Sequence, residues 1–97
     1  MTASNNDIYI IAAKRTAIGS FQGQFANPPA TELGAAAIKA TLDEVSINPN
    51  DVEEALIGCV LPAGLGQAPA RQAVLNAGLP LSTRCTTVNK VCGSGMK

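Results

Sequence analysis

One cysteine near the end of the sequence has the neighbours expected of a reactive thiol. Cys92 lies in the stretch "VNKVCGSGMK", where Gly93 and Gly95 follow it. Glycines beside a thiol leave room for an incoming group, and a thiolate is a good nucleophile for covalent acyl transfer. Because β-branched residues precede this stretch, we expect a strand that turns sharply into a helix with Cys92 at the turn.

A helix that begins at this turn would assist acyl transfer in two ways. The unpaired N–H groups and the positive dipole end of a first helical turn favour a thiolate over a thiol. The same amides can stabilise the oxyanion that forms when the thiolate attacks a thioester or ester carbonyl. The alternative is a structural role, because free cysteine is often a small buried hydrophobe. Spacing alone leaves both interpretations of Cys92 open.

The other two cysteines are interpreted as structural. Cys59 lies in the apolar run "LIGCVL" and Cys85 in a β-branched segment, so both are expected in the core. The cysteine spacing fits neither a zinc site nor a disulfide framework, and the chain has no histidine. We therefore predict free thiols and no metal site.

Two further polar features are also assigned structural roles. The loop "GLGQAPARQ" lacks the lysine of a Walker motif and the third glycine of a dinucleotide fingerprint. It is interpreted as a packing loop, with phosphate binding as the alternative. Arg71 is expected at an interface or in an ion pair near a helix start, and Lys90 and Lys97 are expected in solvent.

The composition favours a piece of a larger fold. Hydrophobic residues make up 46% of the chain, yet tryptophan is absent and the apolar side chains are mostly small. Lys plus Arg and Asp plus Glu both number 7, and the basic residues are scattered, so nucleic acid is not an expected partner. No segment has the pattern of a signal peptide or a membrane span. A cytoplasmic protein without membrane contact is therefore expected.

Hydrophobic patterns predict strands that alternate with helices. Strands are expected over "DIYIIAA", "EEALIGCVL" and "TRCTTVNKV", the last running straight into Cys92. Helices are expected from Thr31, as N-cap, to about Val45, and from Pro69 to a stop at Gly78. The order β, α, β, α, β predicts an α/β fold whose sheet is covered by helices.

Shorter features accompany these elements. Asn48 and Pro49 predict one helical turn before the second strand. Phe21 and Phe25 are expected to dock the long loop that follows the first strand. Apolar residues form two adjacent stripes on the first helix, which is therefore expected to be largely buried.

Three segments together resemble the thiolase family. "AAKRTAIGSFQGQF" is similar to the family's opening strand and loop, "GQAPARQAVLNAGLP" to the helix before its third strand, and "VNKVCGSGMK" to its nucleophile segment. The ketoacyl synthases, which have serines crowded after the cysteine, match less well. The resemblance implies a thiolase-like layered α/β fold with a mixed sheet covered by helices. Residues 1–97 would be the N-terminal part of the thiolase N-terminal domain, ending just after the nucleophile.

The resemblance also implies a role for Cys92. In thiolases the nucleophilic cysteine takes the acyl group of one acyl-CoA, and a deprotonated acetyl-CoA then attacks the thioester to give acetoacetyl-CoA, or the reverse. The Cys92 N–H would help to form the oxyanion hole. Coenzyme A thioesters would be substrates and no cofactor would be bound covalently. The residues that contact coenzyme A are not identified by the resemblance.

The family's other catalytic groups do not match residues of this sequence. They are a histidine that activates the nucleophile, an asparagine that positions water and a second cysteine that acts as acid and base. The chain has no histidine, and Cys59 and Cys85 precede the nucleophile. The 97-residue chain alone is therefore expected to be inactive, and to act as a thiolase-type acyltransferase when the rest of the fold, such as a complementary C-terminal polypeptide, completes it.

The resemblance finally implies an assembly of subunits. In thiolases the strand before the nucleophile commonly pairs across a dimer axis, so a homodimer or homotetramer is expected to form through Thr83 to Val88. A non-catalytic fragment that acts as a dimerisation or interaction module is the alternative to an enzyme. A third interpretation is a piece that is largely unfolded in isolation, because its apolar surfaces would have no cover.

Overall fold

Helices and strands alternate in the structure, a computed structural model that describes residues 5–97. The elements in chain order are helix α1 (Ala30–Val45), a 3-10 turn (Pro49–Asp51), strand β1 (Glu54–Gly58), helix α2 (Pro69–Asn76), strand β2 (Arg84–Val88) and a second 3-10 turn (Ser94–Met96). The result is a small α/β unit, which confirms the predicted class.

The strands β1 and β2 form a parallel sheet of two strands. Glu54 pairs with Arg84 at one end and Gly58 pairs with Val88 at the other. Helix α2 lies between the strands in sequence and packs against both, so β1, α2 and β2 form a βαβ unit. The sheet within residues 5–97 is thus parallel rather than mixed.

The predicted first strand is wrong within the described residues. The run "DIYIIAA" has no strand assignment, and the side chains of Ile8 and Ile10 are 95% and 93% exposed. A strand of apolar residues needs a neighbouring strand to accept its hydrogen bonds and a surface to cover its side chains. Neither is present within residues 5–97. An ion pair between Lys14 Nζ and Glu44 Oε2, at 3.1 Å, joins the following residues to α1.

Helix α1 ends where the sequence predicts and begins two residues earlier than its predicted first turn. Pro29, with extended backbone, is the N-cap, and Thr31 lies inside the helix, where it is buried. The helix ends at Val45 because Ser46 adopts the left-handed conformation with φ of 53°. The expectation of a largely buried helix is wrong, since only Thr31 and Ala35 are buried. One side of α1 packs against α2, and the other faces solvent.

Small side chains form the core between the helices and the sheet. Ala35, Val74, Ala77 and Leu79 make up its buried cluster, against which half-buried residues of α1, β1 and β2 pack. An added Cβ on Gly34 would lie 3.4 Å from the Ala73 side chain, so α1 and α2 approach closely. The core is therefore compact but contributes little area per residue.

Both predicted start signals after α1 are confirmed. Asn48 Oδ1 accepts a hydrogen bond from the Asn50 N–H at 3.0 Å, and Pro49 opens the 3-10 turn. Helix α2 begins at Pro69, and Gly78, with φ of 93°, follows its end. The Ala70 N–H near the start of α2 donates to Thr87 Oγ1 of β2 at 3.1 Å. A strand side chain therefore satisfies an N–H group that the helix itself leaves unpaired.

The loop before α1 follows the prediction for one of its phenylalanines. Phe25 is half-buried, and its ring lies against Gly19, where an added Cβ would be 2.9 Å from Phe25 Cδ2. Phe21 is 93% exposed, so its predicted docking role is wrong for residues 5–97. Neither α1 nor α2 has the length and hydrophobicity of a membrane-spanning helix, and residues 5–97 contain no other α-helix.

Candidate active site at the Cys92 turn

The strand β2 does not run into Cys92 as the sequence predicts. It ends at Val88, and Asn89 then accepts a hydrogen bond on Oδ1 from the Val91 N–H at 2.9 Å. A short polar side chain that bonds two residues ahead in this way is an Asx turn, which diverts the backbone from the strand. Cys92 therefore lies on a separate tight turn, called here the Cys92 turn and formed by residues 90–94.

The backbone of the Cys92 turn is strained at Val91. This residue has φ of 51°, in the left-handed region that a β-branched side chain rarely adopts. Its side chain is 61% exposed, so burial does not account for the conformation. A residue in this region carries a strain of about 1–3 kcal/mol, which persists only where neighbouring contacts maintain it.

The Ser94 hydroxyl makes the hydrogen bonds that close the turn. Ser94 Oγ accepts from the Lys90 N–H at 2.9 Å and donates to the Val91 carbonyl oxygen at 2.8 Å. Two backbone bonds reinforce it, from the Gly93 N–H to the Lys90 oxygen at 3.0 Å and from the Ser94 N–H to the Val91 oxygen at 3.2 Å. Five residues are thus fixed by one side chain and their own backbone.

Close contact with β1 holds the same turn against the sheet. A Cβ built on Gly58 would lie 2.7 Å from Ser94 Cβ, closer than real Cβ contacts. Only glycine at position 58 lets the turn approach the strand this closely. The sheet therefore positions the Cys92 turn through Ser94.

Cys92 lies exposed between the two ends of this turn. Its backbone N–H donates no hydrogen bond to another group within residues 5–97. The expectation of a helix starting at Cys92 is wrong: Gly93 caps a 3-10 turn of three residues, Ser94–Met96. A single 3-10 turn does not have the aligned dipoles of an α-helix, so the dipole argument for a thiolate does not apply. The turn instead presents an accessible thiol beside an unbonded N–H.

The two remaining cysteines belong to the sheet, Cys85 in β2 and Cys59 directly after β1. Cys85 is half-buried against the core, and its thiol donates to the Thr83 carbonyl oxygen at 3.4 Å. Cys59 is half-buried as well and lines a small depression of about 50 Å³, to which Cys92 does not contribute. Both thiols are free, as predicted, and both are less buried than the sequence suggested. Within residues 5–97 no group of three His, Cys, Asp or Glu side chains could hold a metal ion.

Arg71 and Gln72 stabilise the βαβ unit internally. Arg71 donates from Nη1 to the Thr83 oxygen at 2.9 Å and from Nη2 to the Leu81 oxygen at 3.0 Å. The predicted ion pair near the helix start is not formed within residues 5–97. Gln72 Nε2 donates to the oxygens of Leu65 and Gln67 at 2.6 and 2.7 Å. These bonds support the packing interpretation of the glycine-rich loop.

Sequence reasoning missed Asn89 and Ser94. Asn and Ser are the residue types whose side chains form local turns with the backbone, and both lie within three residues of Cys92. That signal was present, but the expected helix offered another explanation for the same residues. Lys90 and Lys97 are exposed, which confirms their prediction.

Known proteins match the chain over almost its full length. Residues 8–97 match the family described as "Thiolase, N-terminal domain". An acetyl-CoA acetyltransferase of Schizosaccharomyces pombe is 59% identical over 96% of this chain and 24% of its own length. A mitochondrial acetyl-CoA acetyltransferase of Danio rerio is 56% identical over 97% of this chain and 22% of its own length. An acetyl-CoA acetyltransferase of Chromobacterium violaceum is 56% identical over 94% of this chain and 23% of its own length.

The matches establish the family and the share of it that this chain covers. The chain spans about a quarter of the length of these relatives. Mitochondrial proteins are among them, so the cytoplasmic location stays a prediction. The family resemblance drawn from three sequence segments is confirmed, and the chain belongs to the thiolase family.

Proposed function

We propose that this chain supplies the nucleophile of thiolase-type acyl transfer between acyl-CoA thioesters, forming or cleaving acetoacetyl-CoA. Cys92 is the residue that becomes acylated. The observation that carries the proposal is the Cys92 turn, which presents an exposed thiol next to an unbonded N–H on a strained, hydrogen-bonded backbone. The names of the relatives, acetyl-CoA acetyltransferases, support the same reaction class.

Each of these groups has one role in the proposed reaction. The Cys92 thiolate attacks the thioester carbonyl of an acyl-CoA, a bond forms from Sγ to the acyl carbon, and coenzyme A leaves as its thiolate. The Cys92 N–H donates to the oxygen on which negative charge develops. In the second half, a base from the rest of the fold takes a methyl proton of acetyl-CoA, the resulting carbanion attacks the acyl carbon, and Sγ leaves as a thiolate. No metal or covalent cofactor enters these steps.

Other parts of a thiolase must supply the remaining groups. An oxyanion hole commonly uses two donors, and a general base must take the proton of the thiol. This chain has no histidine, and the Cys92 thiol makes no hydrogen bond to another side chain within residues 5–97. We therefore propose that residues 1–97 form the N-terminal part of a layered thiolase domain. They are inactive until the rest of that fold is present.

A hybrid enzyme tests the proposal. The segment of the Schizosaccharomyces pombe relative that aligns with this chain is replaced by this chain, and thiolysis of acetoacetyl-CoA by coenzyme A is measured. The hybrid is expected to turn over, and Cys92→Ala is expected to lower kcat by at least about 1,000-fold. Cys59→Ala is the matched control and is expected to stay within about tenfold of the hybrid. An active Cys92→Ala hybrid would exclude Cys92 as nucleophile.

A second copy of the chain is proposed as partner through β2. That strand pairs with β1 along one edge and has no strand on its other edge within residues 5–97. An unpaired edge is a template for another strand. The active hybrid is expected to sediment as a dimer or tetramer, and a monomer with full activity would refute this part of the proposal.

The same free edge favours the alternative function, a non-catalytic interaction module. That interpretation predicts a 97-residue chain that dimerises while the hybrid shows no thiolysis. Activity of the hybrid that depends on Cys92 would exclude it.

A further inference from the structure

The Ser94 hydroxyl contributes directly to the strained conformation of Val91. The hydroxyl bonds to the Lys90 N–H and to the Val91 carbonyl oxygen, so its two bonds enclose both backbone torsions of Val91. Without them, Val91 would be expected to leave the left-handed region, because its β-branched side chain disfavours a positive φ. The backbone bonds of the turn and the Asn89 side chain also hold Val91, and the Ser94 hydroxyl adds the two bonds that span its φ and ψ angles.

Rotation at Val91 would move the next residue. The φ and ψ angles of Val91 set the direction of the Cys92 N–H and of the Cys92 Cα–Cβ bond, which carry the two groups used in the proposed reaction. A displacement of about 1 Å at a reacting group can lower a rate by roughly a hundredfold. The Ser94 hydroxyl therefore orients the Cys92 thiol indirectly, through the backbone of Val91.

The position of Ser94 is itself fixed from outside the turn. Gly58 of β1 lies so close that an added Cβ would meet Ser94 Cβ at 2.7 Å. Ser94 is half-buried at this contact, whereas Cys92 is exposed. The sheet therefore positions Ser94, and the Ser94 hydroxyl acts on the Cys92 thiol through the backbone of Val91.

We propose that Ser94 is a positioning residue for the Cys92 nucleophile. Its hydroxyl keeps Val91 in the left-handed conformation and thereby orients the Cys92 thiol and N–H together. This inference rests on the proposed function for its catalytic consequence, while its structural part stands on the hydrogen bonds alone.

The structural part is tested on the 97-residue chain. Backbone ¹³C shifts and the amide-to-Hα coupling of Val91 report the sign of its φ angle. Ser94→Ala is expected to move Val91 to a negative φ, and Ser82→Ala, at an exposed serine, is the matched control that leaves Val91 unchanged. If Val91 keeps its positive φ in Ser94→Ala, the inference is overturned.

The catalytic part is tested in the hybrid enzyme. Ser94→Ala is expected to lower kcat and the rate of Cys92 acetylation by roughly ten- to a hundredfold, with KM changed less than about threefold. Gly58→Ala, which displaces Ser94 but keeps its hydroxyl, is the second variant and is expected to lower the same rate. An unchanged acetylation rate in Ser94→Ala would overturn the positioning role. A parent hybrid that is never acetylated would instead refute the proposed function, and the φ measurement would still decide the role of Ser94 in the turn.

Discussion

Gly58→Ala is the perturbation that most directly tests how the Cys92 turn is attached to the sheet. The added Cβ would lie 2.7 Å from Ser94 Cβ, whereas carbon atoms in favourable contact are about 3.5–4.0 Å apart. The turn must therefore move about 1 Å away from β1. Overpacking of this kind destabilises a fold by about 1–3 kcal/mol.

A smaller effect opposes this loss. Replacing glycine by alanine inside a strand restores about 0.5–1 kcal/mol, because the unfolded chain loses conformational freedom. The net expectation is a destabilisation of about 1 kcal/mol. Urea unfolding of the 97-residue chain, followed by circular dichroism, measures it.

A matched control is available in the same segment. An added Cβ at Gly95 would meet nothing within 4 Å, so Gly95→Ala is expected to change the free energy of unfolding by less than about 0.5 kcal/mol. If Gly58→Ala proves as stable as Gly95→Ala, the turn does not rest on β1 as described. The attachment of Ser94 to the sheet would then be refuted.

Three further predictions concern the core, the βαβ unit and the thiols. Val74→Ala removes the only large apolar side chain that is fully buried within residues 5–97, and should reduce the free energy of unfolding by about 2–3 kcal/mol in urea titrations. A loss below about 0.5 kcal/mol would contradict the described core. Arg71→Met removes two hydrogen bonds to backbone oxygens and should destabilise the chain by about 2 kcal/mol. Arg71→Lys should lose less, because its ammonium group can keep one of the two bonds. Equal stability of the two variants would contradict the two-nitrogen contact of Arg71 with these oxygens. Iodoacetamide should alkylate Cys92 before the half-buried thiols, as peptide mapping would show, and earlier alkylation of either other cysteine would contradict its exposure.

The elements around α2 could be predicted because their signals are local. Proline at the start of a helix and glycine after its end act through backbone conformation within a few residues, so Pro69 and Gly78 marked α2 correctly. Asn48 and Pro49 marked the 3-10 turn for the same reason. Local chemistry therefore determined these boundaries.

The first strand and the burial of α1 could not be predicted in this way. Both depend on what lies against the apolar residues, and the sequence pattern does not show whether a neighbour is present. Ile8 and Ile10 have the pattern of a buried strand and are almost fully exposed. The hydrophobic pattern shows that a segment can be buried. Whether it is buried depends on the elements that pack against it in the folded chain.

The reactive cysteine could be located from the sequence, but its geometry could not. A cysteine followed by glycines suggested a helix start. Residues 89–94 instead form an Asx turn at Asn89 and a turn closed by the Ser94 hydroxyl. Asn89 and Ser94 compete for backbone groups that a helix would use itself. The side-chain hydrogen bonds of Asn89 and Ser94 favour the two turns over a helix. A hydrophobic pattern carries no information about such bonds.

Locating the acetyl group on the hybrid enzyme tests the central claim most directly. The hybrid is mixed with acetyl-CoA without a second substrate and quenched in acid, and its intact mass and peptide masses are measured. The account predicts a gain of one acetyl group, found on the peptide that contains Cys92 and absent from the Cys92→Ala variant. An acetyl group on another residue, or no acetylation in a hybrid that still catalyses thiolysis, would contradict it.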